Sequence, residues 1–103
     1  MDDSLTDLSL IVPFRNEKEY AKKVISAIYG YFSDKKIDFE VIAVDDSTDE
    51  TWGILKSLEK KYKKFKAVQG DKPSGYGKAI RKGFANAKGD VLTGKNFPHE
   101  PLA

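Results

Sequence analysis

A chain of 103 residues, 40% apolar and 12% aromatic, is one domain with enough apolar mass for a packed core and too much for a disordered segment. Eighteen basic against 16 acidic side chains give a net charge of only +2, a mixed solvated surface that argues against nucleic acid as a partner. Absence of cysteine and a lone His99 exclude disulfides, thiolate metal sites and histidine clusters, and no apolar run approaches the roughly 18 residues of a membrane span. The N-terminus, Met1-Asp2-Asp3-Ser4, is acidic where a signal peptide is basic, so the expected location is cytoplasmic.

Leu8 to Phe14 is a short apolar run rich in branched residues and reads as a buried strand, with Pro13 directing the chain out of it. A helical pattern then opens at Arg15 or Asn16, with Asn16 a candidate cap. Tyr20, Val24, Ile28 and Tyr31/Phe32 recur at three- and four-residue spacings as its apolar stripe, which ends in Ser33-Asp34-Lys35-Lys36. Phe39 to Val44 is nearly continuous in apolar character, as a parallel strand covered on both faces is. The polar turn Asp45 to Asp49 supplies caps for a second helix with Trp52, Leu55, Leu58 and Tyr62 on one stripe. Phe65 to Gln69 is a third strand and Gly70 to Gly75 a loop. Tyr76, Ile80, Phe84 and Ala87 mark a third helix, and Val91-Leu92 begins a fourth strand. Strands separated by helices of this length predict right-handed crossovers and a three-layer α/β fold with a mostly parallel sheet, in strand order 3-2-1-4. Residues 93–103, with two prolines and no periodicity, read as an irregular tail, which puts the structured unit at residues 1–92.

In an open parallel sheet, ligands bind outside the carboxyl ends of the strands, near a topological switch point. Three polar segments fall there: Pro13-Phe14-Arg15-Asn16-Glu17, Asp45-Asp46-Ser47-Thr48-Asp49, and Lys72 to Lys78. Adjacent carboxylates at Asp45 and Asp46 repel unless amides, a cation or a ligand donor satisfies them. Capping of the next helix by Asp46 and Ser47 accounts for one acid but not both. Glu17 suits a first helical turn, favoured there by the macrodipole. The third segment fails the P-loop pattern, because Ala79 follows Gly77-Lys78 and Lys72 stands where the first glycine belongs; the dinucleotide pattern fails as well. What remains is a glycine-containing loop, with Gly75 and Lys78, that opens a helix and offers amides to an anion. A receiver-like signalling domain is disfavoured, since its paired acids follow the first strand.

Taken together these segments resemble glycosyltransferase family 2, more loosely its polyprenyl-phosphate (dolichol-phosphate) sugar transferases, from Leu8 to about Leu92. The family's V-I-P-x-Y-N-E is matched by I-V-P-F-R-N-E at Ile11 to Glu17. Its V-D-D-G-S-x-D-x-T is matched by V-D-D-S-T-D-E-T at Val44 to Thr51. Its G-x-G-x-A-x-x-x-G followed by A-x-G-D is matched by Gly75, Gly77, Ala79 and Gly83, then Ala87-Lys88-Gly89-Asp90. The resemblance implies the nucleotide-sugar-binding half of a GT-A (Rossmann-like) domain. It implies a hexose donor of the UDP- or GDP-sugar class and an acceptor such as a polyprenyl phosphate or a glycan, at the cytoplasmic face of a membrane where the acceptor is a lipid. By the same resemblance Pro13 meets the base through its main chain, Glu17 lies near base or ribose, and Asp45 binds the base. Asp46 and the loop from Gly75 to Lys78 lie toward the ribose and sugar.

Three departures follow from the same comparison. Arg15 replaces a common aromatic, so stacking on the base passes to Phe14 or to a guanidinium. The glycine of D-D-G-S is missing. No D-x-D, the motif with which the family holds Mg²⁺ or Mn²⁺, is present, and Thr93 to Ala103 contains no aspartate. The expectation is a truncated chain that holds no metal and transfers no sugar alone, with a homodimer through an exposed sheet edge left open. The alternative is a non-catalytic nucleotide or nucleotide-sugar binding module.

Overall fold

The computed structural model describes residues 6–70 and 75–93. The elements run β1 (Leu8–Phe14), α1 (Lys18–Phe32), β2 (Phe39–Asp45), α2 (Thr51–Leu58), β3 (Phe65–Gln69), α3 (Gly75–Asn86) and β4 (Asp90–Thr93). All pairings are parallel and the sheet order is β3-β2-β1-β4, as the alternation of strand and helix predicts. Pro13 sits two residues beyond the last described pairing with β4, Ile11 with Thr93, so its missing N–H breaks no described ladder bond there. β4 runs one residue past the expected boundary at 92. The tail predicted beyond it lies outside the described residues, as does most of the loop before α3.

Strand alternation sends side chains to two separate cores, one under each helical layer. Leu10, Val12 and Phe14 of β1 with Val41 and Ala43 of β2 pack against Ala21, Ile25, Ile28 and Phe32 of α1 and Leu55 and Leu58 of α2. Ile11, Ile42 and Val44 point the other way, toward the α3 side, with Val68 and Ala87. The buried stripe of α1 thus contains Ile28 and Phe32 as expected, with Val24 partly buried beside it, but its first two turns bury Ala21 and Ile25. Tyr20 is 49% exposed and Tyr31 also faces water, while small Ala21 lies against the sheet. The helix begins at Lys18, two to three residues later than the sequence pattern implied. Phe84, expected on the inner face of α3, is 55% exposed; its neighbour Gly83 occupies that face.

Gly83 is where α3 meets β1. A Cβ there would stand 2.8 Å from Cδ1 and 2.9 Å from Cγ1 of the fully buried Ile11, with Cγ2 closer still. Gly89 has a similar role at the turn into β4, where a Cβ would fall 2.7 Å from the Leu8 nitrogen. The family-like G-x-G-x-A-x-x-x-G and A-x-G-D glycines therefore include two that close packing requires. Gly83→Ala is expected to lower stability by about 1–3 kcal/mol through overpacking, offsetting any gain in helix propensity. Gly30→Ala and Gly53→Ala, which meet nothing within 4 Å, should instead raise it by about 0.5–1 kcal/mol. Urea unfolding followed by Trp52 fluorescence separates the two outcomes.

Candidate functional site

The loops after β1 and β2 are tied together by short polar side chains. Asn16 adopts φ 50°, a left-handed conformation that asparagine tolerates better than most residues. Its amide donates to Ser47 Oγ at 2.7 Å, and its Oδ1 accepts from the Thr48 amide at 2.8 Å. Ser47 Oγ in turn donates to Asp45 Oδ1 at 2.6 Å, and the Ser47 amide reaches Asp45 Oδ2 at 3.3 Å. One turn further on, the Glu17 amide donates to Thr51 Oγ1 at 3.1 Å; that hydroxyl donates to Asp49 Oδ1 at 2.6 Å, as the Thr51 amide does at 2.9 Å. Main-chain bonds from the Asp46 amide to the Phe14 carbonyl and from the Gly70 amide to the Asp45 carbonyl complete the edge.

This wiring corrects several assignments made from sequence. Asn16 does not cap its own helix; it caps the neighbouring loop. The N-cap of α1 is Glu17, which makes no side-chain capping bond and accepts from the Arg15 amide at 3.3 Å through Oε1. Neither Asp46 nor Ser47 caps α2, whose N-cap is Glu50. Phe14 is 3% exposed within the core, so it offers no face for base stacking. Arg15 is the exposed alternative: its side chain is 61% accessible, with Nη1 3.9 Å from Asp46 Oδ2. The glycine missing after Asp46 leaves no strain, because the positive-φ non-glycine residues are Asn16 and Lys64, both outside that turn.

Of the residues singled out from sequence, Pro13, Arg15, Glu17, Asp45 and Asp46 converge on the carboxyl ends of β1 and β2. Asp45 and Asp46 are buried and form the floor, and Arg15 and Glu17 the exposed rim. Gly75 begins α3 after β3, and Lys78 is exposed in its first turn; Lys72 lies outside the described residues. Sequence reasoning missed Ser47, Thr48 and Thr51 as organising residues. The available signal was an Asp with a Ser two positions on, and another with a Thr two positions on, which is Asx-turn chemistry. At the rim Lys18 pairs with Glu50 at 3.0 Å; hydrogen bonding and charge from that pair raise Lys18 and lower Glu50 from their ordinary pKa values.

The described residues do not suit a divalent cation. No group of three acidic or histidine side chains forms among them, both oxygens of Asp45 accept from Ser47, and Asp46 faces a guanidinium. Nor is any described helix long and apolar enough to cross a membrane.

Comparison with known proteins agrees with this geometry. A family model described as glycosyl transferase family 2 matches residues 9–94. The chain belongs to that family. A dolichol-phosphate mannosyltransferase of Pyrococcus furiosus is 34% identical over 86 residues, which are 82% of this chain and 24% of that protein. The probable glycosyltransferase YdaM of Bacillus subtilis is 33% identical over 92 residues, 85% of this chain and 22% of its own. The chain thus spans about a quarter of the length of the curated relatives it matches. Among solved structures, S. aureus TarS 1-349 in complex with UDP superposes with a TM-score of 0.72 at 31% identity, covering 85% of this chain and 26% of that one. The UDP-GlcNAc complex of the same protein gives 0.71 at 30% identity, with the same coverage. The α/β sheet described above is therefore of the GT-A type.

Two outcomes follow from the loop tie. Asn16→Ala loses the bond to Thr48 and strains the left-handed backbone, and is expected to cost about 1–2 kcal/mol, whereas Asn16→Gly should lose less, as thermal melts would show. Hydrogen bonds from Thr51, hydroxyl first and then amide, hold Asp49 below its ordinary 3.8. A carboxylate lowered on folding contributes stability above its unfolded pKa and loses it as pH falls through the folded one. Thr51→Val should therefore flatten the acid limb of a stability–pH curve below about pH 4.

Proposed function

We propose that the protein binds a nucleoside diphosphate sugar at the carboxyl edge of β1 and β2 and forms the donor-binding half of a family 2 glycosyltransferase. The full reaction would move a hexose from a UDP- or GDP-sugar to a polyprenyl phosphate or a glycan. The observation that carries this reading is the Asn16–Ser47–Asp45 tie, which holds two loops in one arrangement before any ligand arrives. Pre-ordered polar groups bind without the entropy cost of arranging them.

In this reading Pro13 meets the base through its main chain, and Arg15 takes the place of an aromatic by laying a guanidinium plane on the base or pairing with a phosphate. Glu17 accepts from ribose or base. The base acceptor expected at Asp45 passes in this reading to its neighbour Asp46, because Asp45 is fully buried with both carboxylate oxygens accepting from Ser47. Gly75 and Lys78 bring the N-terminus of α3 and a cation toward the diphosphate. The UDP and UDP-GlcNAc in the TarS complexes support a uridine donor as the first to test, and the dolichol-phosphate mannosyltransferase relative keeps a lipid phosphate among the acceptors. Negative charge that develops on the departing diphosphate would be offset in part by lysines such as Lys72 and Lys78 and by Arg15, without the D-x-D carboxylates that hold a metal in the family, so sugar transfer by these 103 residues is not expected.

NMR titration with UDP and with GDP should shift the amides of residues 15–17 and 45–48 first. Arg15→Ala should weaken the better nucleotide by roughly five- to tenfold. Shifts confined to the lysine-rich stretch from Lys60 to Lys66 would overturn the site. Incubation with UDP-GlcNAc and Mn²⁺ should release no UDP; metal-dependent release above an Asp45→Asn control would show that the chain is catalytic by itself.

A further inference from the structure

Away from the carboxyl edge, the outer surface of the α1–α2 layer carries a cavity of about 280 Å³ lined by Lys22, Lys23, Ser26, Leu58, Lys61 and Tyr62. Its floor is apolar and fixed. Leu58 is buried, and the Tyr62 ring stacks on Tyr29 at 4.4 Å, while the Tyr29 hydroxyl donates to the Lys63 carbonyl at 2.8 Å. Its rim is cationic. Elsewhere on the same helical layer lysines are neutralised locally: Lys18 by Glu50 at 3.0 Å and Lys56 by Glu59 at 2.9 Å. Among the described residues Lys22, Lys23 and Lys61 form no ion pair, and Lys61 instead lies 5.4 Å over the Tyr62 ring. The neighbouring acids do not cancel them. Glu59 is engaged by Lys56 and by the Ala67 amide at 2.8 Å, and Glu19 pairs with neither Lys22 nor Lys23 despite lying three and four residues before them.

Three lysines without an ion-pair partner and a serine line one small hollow, a donor set that matches a tetrahedral dianion, and a stacked ring with a leucine beside it matches a carbon substituent on that anion. A carboxylate ligand would use fewer of these donors, and an uncharged ligand would gain nothing from their charge. We propose that this notch is a second anion site, separate from the nucleotide site, that takes the phosphoryl group of a phosphate ester. The ester is either a phospholipid headgroup or a soluble phosphorylated metabolite, which present the same chemistry to the lysines.

The test uses the whole protein, with inorganic phosphate as the first probe. Saturable amide shifts at Lys22, Lys23, Ser26 and Lys61 are expected. The exposed triple variant Lys22→Gln/Lys23→Gln/Lys61→Gln should weaken them by roughly tenfold or more, with unchanged circular dichroism and an unchanged UDP response at residues 15–17. Sedimentation with phosphatidylcholine vesicles, with and without phosphatidylglycerol, then identifies the source. Pelleting only with the anionic vesicles, lost in the triple variant, assigns a lipid headgroup; phosphate shifts without pelleting assign a soluble ester. Non-saturating shifts, or equal shifts at Lys60, Lys63 and Lys66, would overturn the proposal, as would a triple variant that binds phosphate as the parent does.

Discussion

The hydroxyl of Ser47 holds together the loops at the carboxyl ends of β1 and β2. It accepts from the Asn16 amide and donates to the Asp45 carboxylate, so one oxygen joins the loops after two adjacent strands. A carboxylate that is fully buried, as Asp45 is, would be expensive without donors; hydrogen bonds to charged groups are worth about 1.5–3 kcal/mol each and more when their loss leaves a charge unpaired. Asn16 can present its amide to Ser47 because its backbone is left-handed, and the same conformation aims its side-chain oxygen at Thr48. α1 begins two residues after that turn, at Lys18.

The opposite end of the sheet is pinned by a comparable device that binds no ligand loop. Ser9 Oγ donates to the buried Glu40 carboxylate at 2.6 Å, and the amides of Lys88 and Gly89 close on the same pair at 2.8 Å each. Lys64, itself left-handed, reaches Thr6 and Asp38 at 2.7 Å. Between these two polar ends the strands are almost wholly apolar. The two buried carboxylates thus lie at opposite ends of the strands, Asp45 at the edge where helices begin and Glu40 at the other.

Much of this was legible in advance. Alternation of strand and helix periods is enforced by burial on both sheet faces, so element order, strand order and the two segments that follow β1 and β2 could be read directly from residue types. The first turns of the α1 stripe could not. Tyr20 and Val24 lead into Ile28 as well as Ala21 and Ile25 do, and a tyrosine outweighs an alanine in any apolar pattern. Phe84 misled for a related reason, since a large apolar residue outweighs a glycine in any pattern, although here the glycine marks the contact. The roles of Ser47 and Thr51 were readable in principle as Asx turns, but capping of the next helix is the commoner use of the same residues.

The departures from the family pattern are consistent with one another once the loops are in view. Where the usual glycine is absent, the Asp45–Ser47 pair bends the chain without a left-handed residue. Where the usual aromatic is absent, the side chain one position earlier is buried in the core and so cannot replace it, and the exposed group is the Arg15 guanidinium. A guanidinium beside a buried acid is attracted to it, and their 3.9 Å separation is long for a hydrogen bond, so the pair constrains Arg15 weakly. The rigid part of the site is therefore the acidic floor and its hydroxyl ties, and the adjustable part is the cation above it. Under the proposed function, the base would meet the fixed acceptors and the charge-bearing portion of the ligand the side chain free to follow it.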